Sequence, residues 1–144
     1  MSTRSACLLL AICLLLPVYA RANKCTLTIT NVAFGSYDVF VTTNTTSTGS
    51  VQVSCNQSQS YTVSMSAGSG TLTSRVMKSG SSQLDYNLYT DSTHTTIWGD
   101  GTSGTVKVSA TNLGATYTVY GLIPALQNVP VGSYSDTVTV TVTY

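Results

Sequence analysis

The sequence predicts an all-β protein, an Ig-like antiparallel β-sandwich of about seven strands. Three observations indicate this fold. Apolar and polar residues alternate with a period of two in many short runs, turn-forming residues separate the runs, and no stretch has the spacing of an amphipathic helix. Thr, Ser, Val, Tyr and Gly dominate the chain after its first 22 residues, and these residues favour strands and turns.

The alternating runs follow one another to the last residue of the sequence. Successive strand residues point to opposite faces, so each run has one core face and one solvent face. Clusters of Gly, Pro, Asn and Ser between the runs predict the connecting turns. Named by their apolar members, the runs are Cys25, Leu27 and Ile29; Val51, Val53 and Cys55; Tyr61, Val63 and Met65; Leu84, Tyr86 and Leu88; Val106 and Val108; Tyr117 and Val119; and Val138, Val140, Val142 and Tyr144.

The first 22 residues have the layout of a secretory signal peptide. Arg4 supplies a positive charge, an apolar run follows at 6–16, and small residues predict cleavage after Ala22, with cleavage after Ala20 as the alternative. The apolar run is shorter than the roughly 20 residues that a membrane-spanning helix needs. We therefore predict one exported domain over residues 23–144, with no integral membrane segment after cleavage.

Two cysteines, Cys25 and Cys55, remain in the exported part of the chain. Each lies in phase with the apolar residues of its own strand, so both side chains are expected on the core side. Cysteines of exported proteins most often pair in the oxidising compartment that receives them. We predict a disulfide between the two.

Composition argues against an enzyme, a metalloprotein and a nucleic-acid-binding protein. The chain has six basic and five acidic residues, and no basic stripe that would neutralise phosphates. His94 is the single histidine, and it lies in a polar stretch without a serine motif or a second metal-ligating residue. The aspartates are scattered, so no carboxylate pair is apparent. We expect no catalytic residue, no metal, no cofactor and no nucleic-acid partner.

The aromatic residues leave two interpretations open. Residues in phase with apolar neighbours would fill the core, with their polar atoms at its edge. The same residues on an exposed face would bind carbohydrate or another surface, which makes a secreted adhesin or a carbohydrate-binding module the alternative function. The residues concerned are Trp98, Tyr86, Tyr89, Tyr117, Tyr120 and Tyr134.

The last run alternates Val and Thr up to Tyr144. An edge strand that carries no Lys or Pro is a template for pairing with another chain. A final strand that is paired on both sides is the alternative, and the composition alone does not separate the two.

Seven motifs also occur in a fixed order after Cys25. They are VAFGSYD at 32–38, GSVQVSC at 49–55, YTVSM at 61–65, LDYNLYTD at 84–91, IWGDG at 97–101, TVYGLIP at 118–124 and PVGSYSDTV at 130–138. With this ordered set, residues 23–144 resemble the spore coat protein U domain family, which is similar to the pilin subunits of archaic chaperone–usher pili.

The resemblance implies an incomplete Ig-like sandwich that a donor strand completes. In that family a periplasmic chaperone supplies the missing strand, an outer-membrane usher receives the subunit, and the N-terminal extension of a neighbouring subunit replaces the chaperone strand. The resemblance also implies a disulfide between Cys25 and Cys55 and a chaperone-contacting strand at Val138, Val140, Val142 and Tyr144.

The function expected from the resemblance is that of a non-enzymatic structural subunit of a cell-surface fimbria or coat. Its partners would be a pilus chaperone, an usher and other pilus or coat subunits. Such a chain passes through the periplasm to the cell surface or is secreted.

One feature departs from the polymerising members of the family. Cleavage after Ala22 leaves only Asn23 and Lys24 ahead of Cys25, and at about 3.3 Å per residue this segment cannot run the length of a strand. We therefore expect a chain that accepts a donor strand without offering one, which favours a terminal or minor subunit or a stand-alone coat protein.

Overall fold

The computed structural model describes residues 22–144, which form eight β-strands and no helix. The all-β prediction is confirmed. The strands are β1 (Cys25–Thr30), β2 (Thr45–Cys55), β3 (Gln59–Met65), β4 (Arg75–Ser79), β5 (Ser82–Tyr89), β6 (Val108–Asn112), β7 (Thr116–Ile123) and β8 (Val140–Thr143).

Two antiparallel sheets form an incomplete β-sandwich. The larger sheet has the order β1-β2-β7-β5-β4, and the smaller has the order β6-β3-β8. Alternate residues of both sheets meet in one core, as the period-two pattern predicts. Its most buried apolar members are Val51, Val53, Tyr61, Val63, Trp98 and Ile123.

Strand β4 is an element that alternation does not predict. Arg75, Val76 and Met77 are buried in succession, so this strand has no polar face at its start. The Arg75 guanidinium donates to the carbonyl oxygens of Ser66 and Trp98 at 2.9 and 2.8 Å, and also to the side chain of Asn87. Burial lowers the pKa of Arg75. The buried Arg75 guanidinium is thus hydrogen-bonded to uncharged oxygens, and these bonds fasten β4 to the loop that precedes it.

The disulfide between Cys25 and Cys55 is confirmed. The two residues are directly opposite each other in the β1–β2 register. The Gln59 side chain donates a hydrogen bond to the Cys25 sulfur at 2.7 Å. The disulfide therefore fastens the first residue of the edge strand β1 to the last residue of β2.

Candidate functional site: an open groove beside the last strand

Strands β1 and β8 are edges of the two sheets, and they approach each other without pairing. Within residues 22–144, β8 pairs only with β3 and β1 pairs only with β2. Strand β4 also ends its sheet, but its edge is covered, because Lys78 and Ser135 exchange two backbone hydrogen bonds of 2.8 and 3.1 Å. The edges of β1 and β8 instead border a groove.

The groove has a volume of about 1170 Å³ and opens into the sandwich interior. Residues 29–39 form its first wall, and residues 129–138 form its second wall, which Val140 of β8 continues. Apolar side chains make up most of its floor, and they come from both sheets. The floor residues are Val51, Met65, Met77, Leu84, Tyr86, Leu88, Val119 and Ile123.

Ile29 marks the groove as an unfilled part of the core. Its side chain is in phase with those of Cys25 and Leu27, which lie on the inner side of β1. Ile29 is nevertheless 44% exposed. Inward-facing isoleucines are usually buried, so its exposure shows that the inner face of β1 is left uncovered at the groove.

Two glycines allow the first wall to cross the inner face of the larger sheet. A Cβ atom at Gly49 would lie 2.9 Å from the Val32 side chain, and one at Gly121 would lie 2.7 Å from those of Val32 and Phe34. The Phe34 ring then meets the Tyr86 ring edge-on, with centroids 6.0 Å apart. The sequence marks Val32 and Phe34 only through their motif, and nothing in the pattern gives them this place.

The second wall is fixed by hydrogen bonds to neighbouring elements. Asp136 accepts hydrogen bonds from the Ser69 amide at 2.9 Å and the Tyr86 hydroxyl at 2.7 Å. Burial, together with this hydrogen bond and the Asp136 charge, raises the pKa of Tyr86. Thr139 exchanges hydrogen bonds with Ser66, each 2.9 Å long. The wall is therefore rigidly attached, and its inner side faces the groove.

The predicted final strand is divided between the second wall and β8. Val138 lies in the wall, Val140 and Val142 lie in β8 with half-buried side chains against the core, and Tyr144 is exposed beyond the strand. The strand begins later than the alternation suggests because Ser135 pairs with Lys78 of β4 rather than with β3.

The valines supply the backbone N–H and C=O groups on the unpaired side of β8. The Ser66 amide donates to the Thr139 carbonyl, so Thr139, and by alternation Thr141 and Thr143, direct their backbone groups toward β3. The backbone N–H and C=O groups of Val138, Val140 and Val142 consequently point to the groove side. The groove therefore combines free backbone groups along one wall with an apolar floor.

The single histidine belongs to a packed loop on the outer face. The His94 ring meets the rings of Tyr89 and Tyr120 edge-on, at centroid distances of 5.3 and 6.4 Å. Asp91 accepts hydrogen bonds from the amides of Thr95 and Thr96, and hydrogen bonding lowers the pKa of this carboxylate. Asp91 and His94 therefore stabilise the conformation of the loop.

Within residues 22–144, no group of three or more His, Cys, Asp or Glu side chains comes together. The same residues include no helix with the length and apolar character to cross a membrane.

The aromatic residues pack into the protein rather than forming an exposed face. Trp98 and Tyr86 are buried, and the other four tyrosines considered above are half-buried. Trp98 donates to the Val63 carbonyl at 3.1 Å. The Tyr117 and Tyr61 hydroxyls lie 2.8 Å apart, and burial with this hydrogen bond raises the pKa of Tyr117 to about 12. The core interpretation therefore holds for Trp98, Tyr86, Tyr117 and Tyr134. Tyr89 and Tyr120 instead pack against His94 on the outer face.

Comparison with known proteins assigns this chain to a family. The spore coat protein U domain model matches residues 13–141, and the chain belongs to this family. The resemblance drawn from the seven motifs is thus confirmed. Protein U of Myxococcus xanthus is 33% identical over 126 residues, which cover 77% of this chain and 70% of that protein.

Solved structures extend the comparison to pilus subunits. A chain of the CsuC–CsuE chaperone–tip adhesion subunit pre-assembly complex, from archaic chaperone–usher Csu pili of Acinetobacter baumannii, matches with a TM-score of 0.64 and 24% identity. The match covers 85% of this chain and 40% of that chain, so this protein spans less than half of it. HdaB, the minor tip subunit of the E. coli Hda pilus, has a TM-score of 0.43 and 14% identity over 81% of this chain and 79% of its own.

Proposed function

We propose that this protein is a non-enzymatic structural subunit of a cell-surface fimbria or coat, and that its groove receives a β-strand from another protein. The observation that carries the proposal is the apolar groove beside the unpaired edge of β8, with the inward-facing Ile29 left 44% exposed. In strand addition, backbone hydrogen bonds along the edge supply affinity, and alternate side chains entering the groove supply specificity.

The groove has the two features that an added strand needs. Val138, Val140 and Val142 offer backbone donors and acceptors on one side, and the floor offers apolar contacts below. Each Val-, Leu- or Phe-sized side chain that the strand buries would contribute about 1.5–3 kcal/mol. An alternating apolar strand would therefore bind far more strongly than a polar one.

The proposed partners follow from the family and from the likeness to a chaperone–subunit complex. A periplasmic chaperone would supply the first strand, with Val138, Val140, Val142 and Tyr144 as the contact strand of this chain. An outer-membrane usher and other pilus or coat subunits would then take part in assembly, and the final location would be the cell surface or the secreted material.

We further propose that the chain accepts a strand without donating one, as a terminal or minor subunit or a coat protein. The support is the predicted cleavage after Ala22, together with the contacts of the residues that follow. The backbone of Lys24 exchanges hydrogen bonds with Asn56. N-terminal sequencing of the exported protein tests this point, since ten or more residues ahead of Cys25 would contradict it.

A self-complemented variant tests strand acceptance. The chain is extended at Tyr144 by a Gly/Ser linker of about six residues and an alternating Val/Thr strand of about ten residues, long enough to run back along β8. We expect the extension to raise the Tm by about 10 °C or more, and an extension with Ser in place of Val to leave it unchanged.

Two matched substitutions on β1 make this test specific to the groove. Ile29→Asp places a charge at the groove mouth, and we expect it to abolish the gain in Tm. Thr28→Asp places the same charge on the exposed outer side of the same strand and should preserve the gain. An extension that stabilises neither the parent nor Thr28→Asp would contradict the proposal.

A further inference from the structure

Two loops at one end of the groove expose large apolar side chains. Phe40 is 86% exposed, Val41 is 43% exposed and Leu126 is 60% exposed. We call these three residues the apolar tip. Exposed large apolar residues on neighbouring loops are typical of an interaction surface.

The tip loops are rigidly joined to each other. The Tyr37 hydroxyl donates to the Pro124 carbonyl at 2.9 Å and accepts from the Gln127 amide at 2.8 Å. The Gln127 side chain in turn accepts from the Asp85 amide and donates to the Asp85 carbonyl, at 2.7 and 2.9 Å. These bonds connect the first wall, the loop after β7 and the beginning of β5.

The backbone of Leu126 is held in an unfavourable conformation. Its φ is +59°, in the left-handed region that favours glycine. Asn44 braces the turn by accepting from the Ala125 amide at 3.0 Å. A turn fastened from several sides therefore presents a leucine to solvent at a position where glycine would be more favourable, and its apolar side chain finds no cover within residues 22–144.

The tip is continuous with the groove. Val39 lines the first wall immediately before Phe40, and Val129 lines the second wall shortly after Leu126. A strand lying along β8 leaves the groove at this end or at the opposite one. The body of a protein whose strand leaves the groove at this end lies next to the apolar tip.

We propose that the apolar tip is a second contact surface for the chaperone whose strand fills the groove, and that this chaperone covers Phe40 and Leu126 with an apolar patch of its own body. The inference rests on strand acceptance as proposed above. The rigid loops would lose little conformational freedom on binding, which favours affinity. The tip would thus distinguish an intact partner from an isolated strand.

The test uses the full exported chain and the periplasmic chaperone encoded by the same genome, with affinity measured by calorimetry. We expect Phe40→Ser with Leu126→Ser to weaken chaperone binding about tenfold or more. Leu113→Ser is the matched control, because Leu113 is equally exposed, at 61%, in the loop after β6, and it should bind as the parent does. In the self-complemented chain, which has a filled groove and no partner body, the tip substitutions should leave the gain in Tm unchanged.

The outcomes are distinguishable. Equal chaperone affinity of the parent and the tip variant would overturn the tip proposal while leaving strand acceptance intact. A tip variant that instead abolishes self-association of the parent, seen by light scattering, with chaperone affinity unchanged, would assign the tip to contacts between copies and overturn it as well. A chaperone that does not bind the parent would overturn strand acceptance, and with it the tip contact.

Discussion

Gly121 of β7 lies directly beneath the ring of Phe34, and a Cβ atom at this position would come within 2.7 Å of the Phe34 Cζ atom. The contact joins the first wall of the groove to the middle of the larger sheet. It therefore connects the integrity of the fold with the shape of the proposed binding site.

Gly121→Ala is expected to destabilise the protein by about 1–3 kcal/mol, because the first wall must move away from the sheet. Urea unfolding measures the effect. Thr118→Ala, on the exposed side of the same strand, should change stability by less than about 0.5 kcal/mol. Equal stability of Gly121→Ala and the parent would contradict the close approach of Phe34.

Arg75→Met is expected to lower the free energy of unfolding by about 2–3 kcal/mol or more, although methionine is an apolar side chain of similar length. The carbonyl oxygens of Ser66 and Trp98 would lose their buried donor, and an unsatisfied buried polar group is costly. Lys78→Met on the exposed face of the same strand is the control, with an expected change near zero. A small effect of the Arg75 substitution in urea unfolding would argue against the buried network.

Loss of the disulfide is expected to destabilise the chain by about 3–4 kcal/mol, since the bond closes a loop with a sequence separation of 30 residues. Cys25→Ser with Cys55→Ser tests this in thermal unfolding. A reductant should lower the Tm of the parent toward that of the double variant and leave the variant unaffected. An unchanged Tm of the parent after complete reduction of its disulfide would contradict the prediction.

Stability is expected to fall as the pH rises above about 10. Burial raises the pKa of Tyr117 to about 12, and burial also raises that of Tyr86 above the ordinary 10.0. The neutral phenol is favoured in the folded state, so the stabilisation is complete below pH 10 and decreases as the unfolded chain ionises first.

The pH series has its own control. Urea unfolding at pH 8, 10 and 11 should show a smaller decrease for Tyr86→Phe with Tyr117→Phe than for the parent. An identical decrease in the two proteins would assign the loss of stability to other groups.

The sequence predicts those parts of the fold in which local alternation and burial coincide. The runs through Val51, Val63 and Val119 became strands with the expected inner faces, and the phase of Cys25 and Cys55 correctly indicated their pairing. Alternation has this power because a half-buried strand imposes a period of two on its own residues.

Features that depend on distant residues were not predictable in this way. Arg75 is buried by oxygens of Ser66 and Trp98, so a charged residue begins a strand that no pattern marks. The first wall crosses the sheet only because Gly49 and Gly121 leave room for it. The last run divides between Val138 and Val140 because its preceding residues pair with β4, which a run of alternating Val and Thr does not reveal.

Amide hydrogen exchange along β8 tests the central claim most directly, because the claim is that this edge has no partner until another strand arrives. In the unextended chain, the amides of Val140 and Val142 should exchange rapidly, while those of Thr141 and Thr143 are protected by β3. In the self-complemented chain, protection of Val140 and Val142 should rise by about 100-fold or more. Strong protection of these two valine amides in the unextended monomer, with no change on extension, would contradict the account.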